Sequence, residues 1–241
     1  MSRCSISQDG PIARLSLGGP LDAALVADLA AACETLAQAD TEAGPRVFLL
    51  TADGSTWAGW GPDPPGALIG DPFGPLAALP QPVIAALKGG VVGGGLELAL
   101  CADIRIAGAD ARFAILDPHA PSFPIAGGLQ RLSRTIGRSR ALELSLADHA
   151  VDAAAALTWG LVSAVVPDPL AEAERRAGVI AARGPVATRL AKEAVRRGVE
   201  LPLDQALRYE TDLTVLLQAT DDRAEGVRAF IEKRSPRFRG S

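Results

Sequence analysis

Hydrophobic and polar positions change their period several times along the chain, and each change marks an element. Positions 4–7 and 12–17 alternate around the turn residues Asp9-Gly10-Pro11, which predicts two short strands joined as a hairpin. Across 21–39 the apolar residues recur at helical spacing, and 47–51 is an apolar run of strand length that closes a strand-helix-strand unit. The stretch 52–75 is rich in glycine and proline, so it reads as a loop of a length that compact domains rarely carry without a use. Strand character returns at 82–87, followed by a helix at 93–102 and by a strand pair, 103–107 with 112–116, around a small turn.

Gly127-Gly128 opens another helix running toward Gly137, and 141–147 and 152–159 are helical, the second with Asp152 as N-cap and Gly160 as stop. A last strand is expected at 161–166. Beyond Pro167 the pattern is amphipathic helix throughout, three or four helices punctuated by Gly184-Pro185, Gly198 and Pro202. Strands and helices therefore alternate over residues 1–167, while 168–241 form a helical region. This predicts an α/β fold with a C-terminal helical extension.

Composition narrows the function classes. Apolar residues make up 48% of the 241 and charged residues 22%, which suits a packed globular core. With a formal charge of -4 the chain lacks a dominant basic face, and the local stretch Arg131, Arg134, Arg138, Arg140 reads as a solvated helix face before a phosphate contact, so nucleic acid is not an expected partner. Cys4, Cys33 and Cys101 are odd in number and lack ligand spacing, and His119 and His149 are too few for a multi-histidine centre. No metal is expected, and a reducing cytoplasm fits. No apolar run approaches the roughly 18 residues of a membrane span, since Lys88, Glu97 and Asp103 interrupt the longest stretches.

Candidate chemistry centres on Gly93-Gly94-Gly95 and the glutamate that follows, Glu97. Glycines directly before a helix leave backbone N–H groups approachable, a good seat for a developing negative oxygen, although the same glycines also serve tight helix–strand packing. A Walker loop is excluded because Leu96 and Glu97 stand where lysine and a hydroxyl should follow, and the spacing does not complete a G-x-G-x-x-G fingerprint. Glu97 lies among Leu96, Leu98, Ala99 and Leu100, so a helix packed on all sides would bury its carboxylate beside the glycines; the alternative is a surface glutamate facing the helix dipole. Asp117, after the second of the paired strands, is either a turn residue or a second carboxylate on the same cleft.

These residues stand in an ordered set of motifs that resembles the crotonase superfamily, the enoyl-CoA hydratase/isomerase family. The set comprises 79–89 (LPQPVIAALKG), 93–105 (GGGLELALCADIR), 124–132 (PIAGGLQRL), 159–163 (WGLVS) and 221–226 (DDRAEG) followed by 230–234 (FIEKR). The resemblance implies a spiral of β-β-α units with C-terminal helices that build a homotrimer or a hexamer. It implies an acyl-CoA substrate, with coenzyme A part of that substrate and no further cofactor. Glu97 and Asp117 match the two acid-base positions; Gly94 matches one oxyanion N–H, and Ala58, with Gly59 in reserve, is matched to the other. Gly59 and Gly93 are implied as substrate or CoA contacts, and Phe230 and Lys233 match positions that contact the CoA nucleotide.

The implied reaction is hydration of a 2-trans-enoyl-CoA to the 3-hydroxyacyl-CoA. Asp117 departs from the usual glutamate and is one methylene shorter, which leaves isomerisation, hydrolysis or decarboxylation as alternatives on the same oxyanion site. A non-catalytic binding protein on this scaffold, including an RNA binder, is the alternative from another class.

Overall fold

A computed structural model describes residues 3–37, 44–57, 59–61, 71–116, 123–147 and 150–241. The turn at Gly10 reverses the chain as its composition predicts, and β1 (Cys4–Asp9) pairs antiparallel with β2 (Ile12–Leu17). Alternation in β2 buries Ala13, Leu15 and Leu17, and α1 (Ala23–Ala37) covers that face with Leu25, Val26, Leu29, Cys33 and Leu36. Next in the sheet come β3 (Val47–Ala52) and β4 (Val83–Leu87), each parallel to its predecessor. Both are covered on two faces. Phe48, Leu50, Ala85 and Leu87 join the main core, whereas Val47, Leu49 and Ile84 meet α8 (Pro169–Ala181). Burial on both faces explains why these segments read as continuous apolar runs. Helix α8 presents Ala173, Ala177 and Ala181, small side chains at i, i+4 spacing that let it lie close to the strands.

The remaining strands are β5 (Gly90–Val92), β6 (Ile104–Ala107), β7 (Arg112–Ala114), β8 (Val151–Asp152) and β9 (Ala164–Val165). They divide between a six-stranded sheet ordered β1-β2-β3-β4-β6-β9 and a three-stranded sheet ordered β5-β7-β8. Here the structure corrects the sequence pattern, which pairs β6 with β7. Instead β6 lies between β4 and β9, and β7 between β5 and β8. The turn after β6 carries the chain from one sheet into the other, as the turn after β4 does, and Asp110 Oδ2 ties the two turns together by accepting Gly89 N–H at 3.1 Å. The pairs β4-β5 and β6-β7 thus give one strand to each sheet, whereas β1 and β2 both lie in the six-stranded sheet, and successive strand-strand-helix units stack as a spiral.

Short helices α2 (Gly54–Trp57) and α3 (Gly74–Ala78) occupy parts of the stretch expected to be loop. After β5 comes α4 (Gly94–Ala99), and after β7 come α5 (Gly128–Ile136) and α6 (Arg138–Leu146). Helix α7 (Ala153–Trp159) has the expected ends: Asp152 Oδ1 accepts Ala155 N–H at 2.8 Å, and Gly160 closes it at φ 78°. The chain then ends in α8, α9 (Pro185–Gly198), α10 (Leu203–Gln218) and α11 (Asp221–Ile231). Lys192 fastens α9 to the sheet through Asp103 at 2.6 Å and the Gln81 carbonyl at 2.9 Å. The carboxylate of Asp222 accepts N–H groups of Arg239 and Gly240, which folds the C-terminal tail back on α11. Among the described residues no helix is long and apolar enough to cross a membrane.

Candidate active site

The glycine run divides its duties. A β-carbon on Gly95 would lie 2.1 Å from the Trp57 carbonyl oxygen, so this glycine is what lets α4 pack directly on the backbone of α2. A β-carbon on Gly94 would instead lie 2.6 Å from Cε2 and Nε1 of Trp60 and 2.8 Å from Leu21 Cδ2, so Gly94 faces an indole. Gly93 is buried; its N–H donates to Ala114 O at 2.9 Å and its carbonyl accepts Glu97 N–H at 3.0 Å, which fixes the first turn of α4. As the first residue of that helix, Gly94 has an N–H without an intrahelical partner. Packing and a first-turn N–H donor, the two readings of the glycine run, thus fall on neighbouring residues.

Glu97 is 0% exposed, which overturns the reading of a surface glutamate facing the helix dipole. Its carboxylate lies among N–H donors from two other parts of the chain. Oε1 accepts Ala126 N–H at 2.8 Å and Gly128 N–H at 3.0 Å, and Oε2 accepts the Trp60 indole N–H at 3.3 Å. Gly128 is the first residue of α5, so the carboxylate also sits at the N-terminus of that helix, where the aligned peptide dipoles favour an anion. Burial acts the other way and prevails: desolvation holds the Glu97 carboxyl above the usual glutamate value, against the lowering pull of the N–H donors. A carboxyl raised toward neutrality, with fixed donors and a lone pair of Oε2 unfilled among the described residues, is equipped to take up and return a proton.

Several further residues hold this arrangement. The Trp60 ring stacks on Phe73 with centroids 5.7 Å apart and planes 7° from parallel, and its backbone bridges to Leu21 while Gly61 N–H donates to Leu21 O. Gly59, at φ 111°, takes a conformation open to glycine and turns the chain between Trp57 and Trp60, so that one tryptophan meets Gly95 and the other Glu97. Arg131 anchors the opposite side. It donates to the Ala126 carbonyl at 2.9 Å and pairs with Asp71 at 2.5 Å, fixing the loop whose N–H groups hold Glu97. This corrects the expectation of a solvated basic face at Arg131, which serves the site, while Arg134 pairs with Glu200 at the surface. A β-carbon on Gly128 would lie 2.4 Å from Glu97 Cγ, so the carboxylate fits only because this position is glycine.

Of the residues singled out in the sequence, Gly93, Gly94 and Glu97 come together, with Gly59 turning the chain toward them. Ala58, Asp117 and His119 lie outside the described residues. Phe230 is 85% exposed near the end of α11, and Lys233 follows just beyond that helix. Trp60, Phe73, Arg131 and the donor role of Gly128 are additions from the structure. For Gly128 a signal was present in the sequence, because the pair Gly127-Gly128 repeats the device of glycines before a helix.

A sequence profile for enoyl-CoA hydratase/isomerase matches residues 71–241. The chain belongs to that family. A probable enoyl-CoA hydratase of Mycobacterium bovis is 45% identical over 168 residues, which span 69% of this chain and 65% of the relative. The 2,3-dehydroadipyl-CoA hydratase of Escherichia coli K12 is 41% identical over 167 residues, or 68% of this chain and 66% of that protein. The match therefore spans about two thirds of the length of these relatives. In three dimensions the similarity runs through the whole fold: the crystal structure of an enoyl-CoA hydratase from Bacillus anthracis superposes with a TM-score of 0.87 at 32% identity, covering 99% of this chain and all of that one. The family's spiral of strand-strand-helix units is the architecture seen here.

Proposed function

We propose that this protein is an enoyl-CoA hydratase that adds water to a 2-trans-enoyl-CoA to give the 3-hydroxyacyl-CoA. The observation that carries this reading is the Glu97 carboxylate, wholly buried, held by N–H donors on both oxygens and one helical turn from the first-turn N–H of Gly94, which has no intrahelical partner. Family membership and relatives named as hydratases support it.

In this mechanism the thioester oxygen accepts the Gly94 N–H and a second donor assigned to Ala58. Water oxygen adds to C3 while a carboxylate takes its proton, and the electrons of the double bond pass to the thioester oxygen as an enolate. Stabilising that oxyanion with fixed donors is worth about 10² to 10³ in rate per donor removed. The enolate then collapses and C2 takes a proton, so the sum is one water added. Glu97 and Asp117 are the two carboxylates of this step, with Glu97 the one whose surroundings are described. Coenzyme A enters as part of the substrate, contacting Phe230 and Lys233, and no other cofactor is needed for the balance of atoms.

Self-association belongs to the same reading. Val195, Val199, Leu203, Leu207 and Phe230, on the last three helices or, for Val199, just past the end of α9, are exposed apolar side chains of the kind that oligomer interfaces cover, and we propose a trimer or a hexamer. A cytoplasmic location is proposed with it, in keeping with three buried thiols at Cys4, Cys33 and Cys101. Incubating the protein with crotonyl-CoA and following the absorbance of the conjugated thioester tests the reaction. A decline proportional to enzyme concentration is expected. No decline at high enzyme concentration would move the assignment to isomerisation, hydrolysis or decarboxylation, for which the short arm of Asp117 is the specific argument.

A further inference from the structure

Trp60 is a large residue in an unusual place. Its indole lies against the Cα of Gly94 on one side and reaches Glu97 with its N–H, so one ring borders both the proposed oxyanion seat and the acid-base carboxylate. The ring has little freedom, because Phe73 stacks on it, Leu21 pairs with its backbone, and it is 8% exposed. The backbone donors Ala126 and Gly128 hold Oε1, and a different group holds Oε2. Among the described residues that group is the Trp60 indole.

We infer that Trp60 is a positioning residue for Glu97: its indole N–H holds Oε2 and, together with the two backbone donors on Oε1, sets the direction of the remaining Oε2 lone pair, with Phe73 holding the indole in place. The inference rests on the hydratase reading for its kinetic consequence, but the hydrogen bond exists independently of which reaction the site performs. A hydrogen bond to the ionised carboxylate favours that form, so the indole also widens the acidic end of the range in which Glu97 works as a base. Among the described residues the charged and titratable neighbours on the packed elements are Arg131 on α5 with its partner Asp71, and Cys101 just beyond α4, whose Sγ donates to the Glu97 carbonyl. Burial pushes the Cys101 thiol up to about 12, so it stays neutral across the working range.

The test uses the full chain labelled with 15N-tryptophan. Trp57, Trp60 and Trp159 give the indole signals, and the one missing from Trp60→Phe is that of Trp60. In the wild-type protein that signal is expected to shift with pH as the carboxylate titrates, and to lose the shift in Glu97→Gln. Kinetically, Trp60→Phe keeps an aromatic ring against Phe73 but has no donor; with crotonyl-CoA its kcat is expected to fall roughly tenfold to a hundredfold, KM to change little, and the acidic limb to move to higher pH. Trp60→His, which keeps a ring N–H, is expected to recover part of kcat. A Trp60 indole signal that does not follow Glu97 overturns the inference, as does a Trp60→Phe enzyme with unchanged kcat and acidic limb. Wild-type protein inert toward crotonyl-CoA but with a titrating Trp60 signal sinks the hydratase reading alone.

Discussion

Gly95→Ala is the sharpest perturbation of the packing beneath the site. The new β-carbon would lie 2.1 Å from the Trp57 carbonyl oxygen, and ordinary contact begins near 3.4 Å, so α2 and α4 must separate by more than 1 Å. A flexible side chain would rotate away from such a clash, but the obstacle is backbone. Overpacking a core costs about 1–3 kcal/mol, and a rigid obstacle puts this substitution at the upper end. For a chain of this size about 3 kcal/mol corresponds to a melting temperature lower by about 6–12 °C. The separation also carries Trp60 and Gly94 off register with Glu97, and a misplacement of about 1 Å costs roughly a hundredfold in rate. Calorimetry together with crotonyl-CoA hydration measures both effects. A Gly95→Ala protein melting within about 2 °C of wild type at full activity would refute the close approach of the two helices.

Other predictions follow from the same geometry. Gly178 is exposed in the middle of α8 with open space where a β-carbon would go, so Gly178→Ala should stabilise the protein by about 0.5–1 kcal/mol, read as a melting temperature about 1–4 °C higher. Light scattering during size exclusion should report a trimer or hexamer, and changing the exposed Val199, just past α9, and Leu203, at the start of α10, to glutamate should shift it toward the monomer; a wild-type monomer at micromolar concentration contradicts the proposed assembly. Because burial raises the folded-state carboxyl of Glu97 above the unfolded value of about 4.3, its stability contribution is fully present below that value and is lost as pH rises through the folded value. The melting temperature of wild type relative to Glu97→Gln should accordingly decline from about pH 4 toward neutrality, and a rising difference would reverse the assigned direction.

What the sequence makes legible, and what it does not, has physical causes. The long elements were plain because their burial is periodic: β2 alternates, α1 keeps helical spacing, and Asp152 and Gly160 end α7 through the side chain and backbone those positions require. Strands of two or three residues, β5, β7 and β8, carry too few positions for a period, so the assignment of β6 and β7 to different sheets was hidden. Glu97 stood out as a carboxylate in an apolar helix. Its donors did not, because Ala126 and Gly128 contribute only backbone N–H groups, and a contact across some thirty residues leaves no local pattern. Trp60 stands in the glycine- and proline-rich stretch with no local pattern to give it a role, since its partnership with Glu97 depends on the turn at Gly59 and on Phe73, which only the folded chain brings together.

The central claim is that Glu97 is an acid-base group for addition of water to an enoyl thioester. The direct test is the initial rate of crotonyl-CoA hydration by wild type and by Glu97→Gln, with the melting temperature of each recorded, since the amide cannot accept all three N–H donors that the carboxylate does. The account predicts measurable wild-type turnover and a loss of about 10² to 10⁴ in kcat for the folded variant. Turnover by folded Glu97→Gln within about tenfold of wild type would contradict it.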